Sequence, residues 1–138
     1  MSILLEGAAV TGAILGGLAT CWTYISSKRL DVFQTYIAKF NDIITPDDIE
    51  WWRLAMKNEP IPEEIVRKCE IKMLRYLNLV WEEHFLYSEG MISKKLWKIW
   101  MPNIIYVLNT DFCKKVFILH EDEFDANFNS WVRTVSQI

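Results

Sequence analysis

The hydrophobic pattern of the chain begins with an apolar run from Ile3 to Ile25, which contains one charged residue near its start. About twenty apolar residues at about 1.5 Å rise per residue span a hydrocarbon core of about 30 Å. The run ends just before Lys28 and Arg29, and no later segment is apolar over a comparable length. The pattern therefore predicts a transmembrane anchor over residues 1–28 and a helical domain over residues 29–138.

Beyond the anchor, apolar residues recur at spacings of three and four, which is the period of one face of an α-helix. No stretch alternates apolar and polar residues, and there is no Asn-Gly or Asp-Gly hairpin turn. The sequence thus predicts an all-α fold, a small helical bundle that follows a single N-terminal transmembrane helix. The predicted helices are Leu30–Ile44, a short helix begun by Thr45 and Pro46, Pro62–Glu89 ended by Gly90, a helix begun by Ser93 and kinked or split by Pro102, a short helix begun by Thr110, and Phe124–Val135.

The segment Pro62–Glu89 is predicted to be the central helix, because its apolar positions cover more than one face. Asn78 lies beside these positions, and we expect it either to be hydrogen-bonded in the core or to form a recognition pocket with Glu82 and Arg75. Glu83 is expected at the surface. The residues expected in the core are Val66, Cys69, Met73, Leu74, Leu77, Val80, Trp81, His84, Phe85 and Tyr87.

Positive charge is concentrated on one side of the predicted span, since all fifteen Lys and Arg residues lie at or after residue 28. The positive-inside rule therefore predicts that the N-terminus is outside and that the C-terminal domain is cytoplasmic. Trp22 and Tyr24 fall at the same end of the span, where aromatic rings favour the membrane interface. A removable secretory signal would need basic residues before the apolar run, so we expect the span to be retained.

Small residues share one face of the predicted span. Such a face lets a second helix approach closely, and Gly12 and Gly16 form the small-xxx-small pattern of packed membrane helices. Glycine and alanine are also common in membrane spans generally, so composition alone is the other explanation. The face predicted to contact another membrane helix, from a second copy of the chain or from a partner protein, consists of Ala9, Gly12, Gly16, Ala19 and Thr23.

The composition agrees with a folded domain attached to a lipid bilayer. Seven tryptophans and a hydrophobic fraction of 51% exclude a disordered chain. A net charge of −3 argues against a nucleic-acid partner, which would need a broad basic face. The cysteines, Cys21, Cys69 and Cys113, lie far apart in the sequence, which suits a reducing compartment.

No motif of the chain carries recognisable catalytic chemistry. Glu82, Glu83 and His84 are consecutive, so their side chains point in different directions from a helix and cannot hold one metal ion together. His120 is followed by acidic residues, but a zinc site needs three or four fixed ligands. A G-x-S-x-G turn and a phosphate-binding glycine loop are both absent from the sequence. We therefore predict no catalytic residue, no metal and no cofactor.

Trp51, Trp52 and Arg53 form the first of two candidate contact sites. Neighbouring residues diverge by about 100° on a helix, so a short helix is expected to leave one of the two indoles exposed. An exposed tryptophan beside an arginine has the composition of an interface hot spot. This cluster is therefore predicted to contact a partner.

Lys94, Lys95 and Lys98 form the second candidate site, since they are interleaved with Trp97 and Trp100. A face that combines basic and aromatic residues can contact an anionic leaflet, because each lysine near such a surface contributes about 1 kcal/mol. The other explanation is that the tryptophans belong to the core and the lysines are merely solvated.

The order of features along the chain resembles a known group of proteins. Arg29 is followed by an amphipathic segment, then by Arg75–His84, Leu86–Ile92 and Trp97–Trp100. This order resembles a family of uncharacterised small bacterial membrane proteins with one N-terminal transmembrane helix and a short helical cytoplasmic domain. The resemblance implies architecture and location only. It transfers no catalytic residue, because that family has no established activity.

These observations predict a single-pass membrane protein that acts through protein contacts as an anchor, an adaptor or an accessory subunit of a membrane complex. The alternative is a membrane-tethered enzyme or effector whose active site is formed by dispersed polar residues. A partner-binding module is expected to expose an apolar patch, whereas an enzyme is expected to contain a pocket of converging polar groups.

Overall fold

The structure, a computed structural model, describes residues 27–138, with side chains from residue 31 onward. Within this range it contains six α-helices and two short 3₁₀-helices, and no β-strand. The all-α prediction is therefore confirmed for this part of the chain. The α-helices are α1 (Ser27–Ile43), α2 (Ile49–Met56), α3 (Val66–Ser88), α4 (Lys94–Leu108), α5 (Asp111–His120) and α6 (Ala126–Ser136), and the 3₁₀-helices are Pro46–Asp48 and Glu121–Glu123.

The predicted anchor, Ile3–Ile25, lies outside the described residues. Among the helices from residue 27 onward, none combines the length and the apolar character that crossing a membrane requires. The transmembrane helix of the sequence analysis therefore stays a prediction.

Side-chain caps begin three of the helices. Ser93, Thr110 and Asp125 each accept a hydrogen bond from the amide three residues further along, over 3.2, 3.4 and 2.7 Å. Each cap satisfies one of the amides that the start of a helix leaves without an intrahelical partner. The predicted starts at Ser93 and Thr110 are therefore confirmed, and the last helix begins at Ala126, two residues after its predicted start.

The long helix α3 ends in a Schellman motif at Gly90, where φ is 75°. The amide of Met91 donates to the carbonyl of Leu86 over 2.8 Å, and the amide of Gly90 donates to the carbonyl of Tyr87 over 3.0 Å. Glycine adopts this left-handed conformation without a Cβ penalty. The predicted stop at Gly90 is confirmed, whereas the helix begins at Val66, four residues later than predicted.

Pro102 lies inside α4, and the helix continues through it to Leu108. A proline in a helix interior costs about 3 kcal/mol, because it removes one hydrogen bond and crowds the preceding turn. Trp97 and Trp100 before the proline, and Ile104 after it, are buried. Each such side chain contributes about 1.5–3 kcal/mol on burial, which outweighs the cost and keeps α4 in one piece. The split that the sequence suggested does not occur.

Helix α3 is the central element of the bundle, because it packs against α1, α4, α5 and α6. Its buried side chains join one core cluster that draws on all six helices, so the predicted central position is confirmed. The fully buried large side chains of this core are Phe33, Ile44, Met73, Leu77, Val80, Leu96, Leu108, Val116, Phe117, Phe128 and Val132.

One face of α3 stays open to solvent, and it carries two residues that were expected in or beside the core. Phe85 is 53% exposed, so its predicted burial is wrong. Asn78 is exposed and donates a hydrogen bond to the carbonyl of Leu74 over 3.1 Å, so it is not a core residue. Trp81 is partly buried against the core. The neighbouring helices cover the other faces of α3 and leave this one uncovered.

Helices α1 and α3 are antiparallel. The ring of Phe40 contacts that of Tyr76 at 5.9 Å between centroids, while the hydroxyl of Tyr36 donates to Glu82 over 2.7 Å. The bundle therefore has two ends. The α2 end contains residues 44–65, which connect α1 to α3, and the turn end contains residues 89–93, which connect α3 to α4.

Candidate functional site

The residues predicted to pack against a second membrane helix are not among those that the structure describes. This set consists of Ala9, Gly12, Gly16, Ala19 and Thr23. Their packing role stays a prediction.

The Trp51–Trp52 pair differs from its prediction, because neither indole is exposed. Trp51 is 3% exposed, and Trp52 is partly buried against Phe40 and Tyr76 at 5.9 and 5.6 Å. The expected exposed tryptophan is therefore wrong. Phe112 of α5 packs against Trp51 at 6.1 Å, and α1 and α3 pack against Trp52, so helices distant in sequence cover both rings at least in part. Arg53 lies on the outer side, within 3.8 Å of Glu50.

The basic residues of α4 are separated from its tryptophans. Lys94, Lys95 and Lys98 are exposed, whereas Trp97 and Trp100 are 4% and 8% exposed. The helix directs its tryptophans into the core and its lysines into solvent. The surface is therefore basic but not aromatic, and the explanation in which the tryptophans belong to the core is the one that holds.

Asp48 is the centre of a buried polar network that no sequence motif indicated. It is 0% exposed and accepts hydrogen bonds from the amide of Thr45 over 2.8 Å and from the indole of Trp51 over 2.9 Å. The ammonium of Lys72, on α3, lies 2.5 Å from its Oδ2. Burial alone would raise the pKa of Asp48, but these donors lower it to about 2. The network joins α2 to α3.

A second polar cluster lies between α1 and α3. Glu82 accepts hydrogen bonds from the hydroxyl of Tyr36 over 2.7 Å and from the ammonium of Lys39 over 2.8 Å. Burial alone would raise the pKa of Glu82, and these two donors lower it. Lys39 and Glu82 are both about half exposed, at 43% and 48%, so the pair is solvated.

Glu83, the next residue, is the buried member of this cluster and was expected at the surface. It is 7% exposed and accepts no hydrogen bond from any described residue. Burial raises the pKa of Glu83 to about 8; the charge of Glu82 adds to this rise and that of Lys39 opposes it. Burial therefore favours the protonated form of Glu83. A sequence signal existed, since Tyr76, Val80 and Glu83 recur at spacings of four and three along a buried face.

His84 belongs to an aromatic cluster. Its ring stacks on that of Trp131 at 4.6 Å between centroids and lies edge-on to Trp97 at 6.2 Å and to Phe128 at 5.8 Å. Burial lowers the pKa of His84, which favours the neutral imidazole. The side chain thus acts as a flat packing element between α3, α4 and α6.

No group of three His, Cys, Asp or Glu side chains in residues 27–138 lies close enough together to hold a metal ion. The acidic turn after α5 uses its carboxylates in ion pairs instead. Arg133 contacts both oxygens of Glu121, and Glu123 contacts the imidazole of His120. These pairs attach the 3₁₀-helix to α6 and to the end of α5.

A groove of about 390 Å³ opens at the α2 end, between the connection after α2 and the start of α5. Glu59, Glu63 and Asp111 give it an acidic rim, with Lys115 as its basic residue. Asn58, at φ 56°, accepts a hydrogen bond from the amide of Asp111 over 2.8 Å and so fastens the two sides together. The groove is open and has no converging set of buried polar groups, so it is typical of a surface cleft between helices.

The solvent face of α3 carries exposed apolar residues. Ile71 is 52% exposed and Phe85 is 53% exposed. They lie seven residues on either side of Asn78, which is two helical turns, so all three lie on one face. We call these three residues the α3 stripe.

Comparisons of the chain with protein-family models, with curated proteins and with solved structures give no match in any of the three. The resemblance to small bacterial membrane proteins therefore stays a prediction, and function has to be inferred from the residues of this chain.

Proposed function

We propose that the chain is a single-pass membrane protein whose helical body works through protein contacts, as an anchor, an adaptor or an accessory subunit of a membrane complex. The observation that carries the proposal is the apolar run Ile3–Ile25, which is followed at once by helix α1 with Lys28 and Arg29 in its first turn. The resemblance to small bacterial membrane proteins with one span supports the same architecture.

Cysteine labelling tests the topology, in which the N-terminus is outside and the body is cytoplasmic. A cysteine at position 2 should react with an impermeant reagent added to intact cells, and a cysteine at position 138 should react only after lysis. A Cys21→Ala background removes the cysteine of the span. Labelling of position 138 in intact cells would contradict the orientation, and extraction of the chain by alkaline carbonate would contradict the anchor itself.

The small-residue face of the span is the proposed contact with another membrane helix. Gly12→Ile with Gly16→Ile should abolish association in a membrane two-hybrid assay while insertion is retained, because bulky side chains prevent close approach. The matched control is Thr11→Ile with Cys21→Ile, which enlarges two residues on the opposite face of the same helix. Equal association by both variants would remove this face as the contact.

The α3 stripe supports protein contacts by the body, because a partner-binding surface is expected to expose apolar side chains. A photo-crosslinking residue placed at Asn78 should give a defined adduct in cells, since it lies between Ile71 and Phe85. The adduct should disappear with Ile71→Ser and Phe85→Ser. An adduct that persists in that variant would show that the stripe is not the contact.

The enzyme alternative has one feature in its favour, since a carboxyl group with a pKa near 8 is typical of general acid–base catalysis. Glu83 is, however, only 7% exposed, and the groove at the α2 end does not include it. Because a catalytic acid must reach a substrate, the partner-binding function is favoured.

A further inference from the structure

The starting point is the position at which α1 begins. Because α1 and α3 are antiparallel, residues earlier in α1 contact residues later in α3. Phe40 lies against Tyr76, and Tyr36 lies against Glu82. Nine residues of helix separate Tyr36 from Ser27, which is about 13 Å of rise. The same distance along α3 from Glu82 reaches the turn of residues 89–93. Helix α1 therefore begins level with the turn end of the bundle.

The turn end is the basic end of the molecule. Lys94, Lys95 and Lys98 are exposed there, and Lys28 and Arg29 belong to the first turn of α1. The exposed acidic residues at this end are Asp31 and Glu89. An apolar side chain also projects here, since Met91, in the turn itself, is 64% exposed.

The opposite end of the bundle carries charges of both signs. The exposed basic residues of the α2 end and of the start of α5 are Lys57, Arg67, Lys68 and Lys115, beside Arg53. The exposed acidic residues there are Asp47, Glu50, Glu59, Glu63, Glu64 and Asp111. Acidic residues thus offset the basic ones at this end, whereas basic residues prevail at the turn end.

Helix stability does not explain the lysines. Lys94 and Lys95 occupy the first turn of α4, which contains no acidic residue. The N-terminus of a helix carries partial positive charge, so cations are unfavourable there. Lys94, Lys95 and Lys98 lie within five residues at this place, and a cluster of three cations complements an anionic surface outside the protein.

Resting on the proposed membrane anchor, we infer that the turn of residues 89–93 and the first turn of α4 form a second membrane contact, which binds an anionic lipid surface beside the point where the anchor enters. Lys94, Lys95 and Lys98 contact the headgroups, and Met91 reaches the interfacial region. Each lysine contributes about a fivefold increase in the population of the bound form. The contact holds the body against the leaflet and directs the α2 end away from it.

The test uses the full chain with Cys21→Ala, reconstituted into vesicles of phosphatidylcholine alone or of phosphatidylcholine and phosphatidylserine in a two-to-one mixture. A fluorophore is attached at Met91→Cys or, as the control position, at Glu59→Cys, and headgroup-labelled quencher lipids report proximity. Cys69 and Cys113 are buried and stay unlabelled. Quenching at position 91 should be strong with phosphatidylserine, weaker without it, and absent at position 59 in both.

Lys94→Gln, Lys95→Gln and Lys98→Gln together should reduce quenching at position 91 to its level in neutral vesicles. The matched control is Lys57→Gln, Arg67→Gln and Lys68→Gln, which removes three exposed positive charges near the other end and should change nothing. Quenching at position 91 that does not depend on phosphatidylserine or on the three lysines would overturn the inference. Equal quenching at positions 59 and 91 would overturn it as well.

Alkaline carbonate extraction of the same vesicles separates this inference from the anchor. A chain that resists extraction but shows no quenching at position 91 would overturn the lipid contact and leave the anchor standing. A chain that is extracted would overturn the anchor. If this extracted chain floats with phosphatidylserine vesicles at neutral pH, and does so only when the three lysines are present, the lipid contact is still supported. If the extracted chain does not float, the lipid contact is overturned.

Discussion

Asp48, at the start of α2, and Glu83, near the end of α3, are both buried carboxyl groups, with 0% and 7% of their surface exposed. Asp48 accepts hydrogen bonds from Lys72, Trp51 and Thr45, whereas Glu83 accepts none from the described residues. The pKa of Asp48 falls to about 2, and that of Glu83 rises to about 8. Burial disfavours the charged form of both groups, so the donors decide which form each group takes.

The difference shows two ways in which a helical bundle accommodates an acid. Around Asp48, a charged group is compensated by a fixed set of donors, and removing any one of them leaves a buried charge or donor without its partner. Around Glu83, the proton itself provides the compensation, so the packing of α1 on α3 depends on pH. The first region is therefore sensitive to mutation and the second to proton concentration.

The largest effect is expected from Asp48→Asn, which leaves the Lys72 ammonium without its counter-ion. Breaking a buried ion pair from one side costs about 3–5 kcal/mol, and the partial exposure of Lys72 favours the lower value. Denaturant unfolding of the full chain in a mild detergent at neutral pH measures this loss. Asp47→Asn, an exposed neighbour, is the control and should cost less than about 0.5 kcal/mol. Equal stability of the two variants would contradict the role of the network.

The pH dependence of the wild-type protein should show both groups with opposite signs. Glu83 releases its proton near pH 4.5 in the unfolded chain and near pH 8 in the folded one. Its contribution to the free energy of unfolding is therefore full below pH 4.5 and is lost as the pH rises to 8. The loss is on the order of a few kcal/mol. For Asp48, stability is lost as the pH falls from 3.8 to 2. Unfolding free energies measured across this range should therefore peak between these two windows.

Glu83→Gln should remove the loss of unfolding free energy that the wild type shows as the pH rises. A buried amide without partners costs about 1–3 kcal/mol, so the variant should be less stable than the wild type near pH 4.5. It should be as stable as the wild type or more stable near pH 8, because it cannot ionise. The two profiles should therefore cross or converge, whereas the control Glu89→Gln, at an exposed position, should follow the wild type. Parallel profiles for Glu83→Gln and wild type would show that Glu83 is not the titrating group.

The smallest change in stability is expected from Lys39→Met, because the Lys39–Glu82 pair is about half exposed and solvated pairs contribute about 0–1 kcal/mol. The positive charge of Lys39 opposes the rise in the pKa of Glu83. Its removal should therefore extend the loss of stability beyond about pH 8, so that the variant becomes less stable than the wild type there while it remains nearly as stable at neutral pH. A loss of stability that ends at lower pH than in the wild type would contradict the assigned arrangement of charges.

The sequence by itself determined where α4 and α5 begin and where α3 ends. Ser93, Thr110 and Gly90 act on amides and carbonyls within three to five residues, so their effect is present in the local sequence. The 3.6-residue period likewise identified α3 as the helix with apolar residues on several faces, which its four packing partners confirm.

Only the tertiary structure decided which borderline positions are buried. Trp51 and Glu83 are covered because helices distant in sequence lie against them, and Phe85 stays exposed because no helix of the described chain covers its face. The compensation of Asp48 likewise needed Lys72, 24 residues away, which no local pattern could supply. Helix formation depends on neighbours along the chain, whereas burial and the pKa of a buried acid depend on neighbours in space.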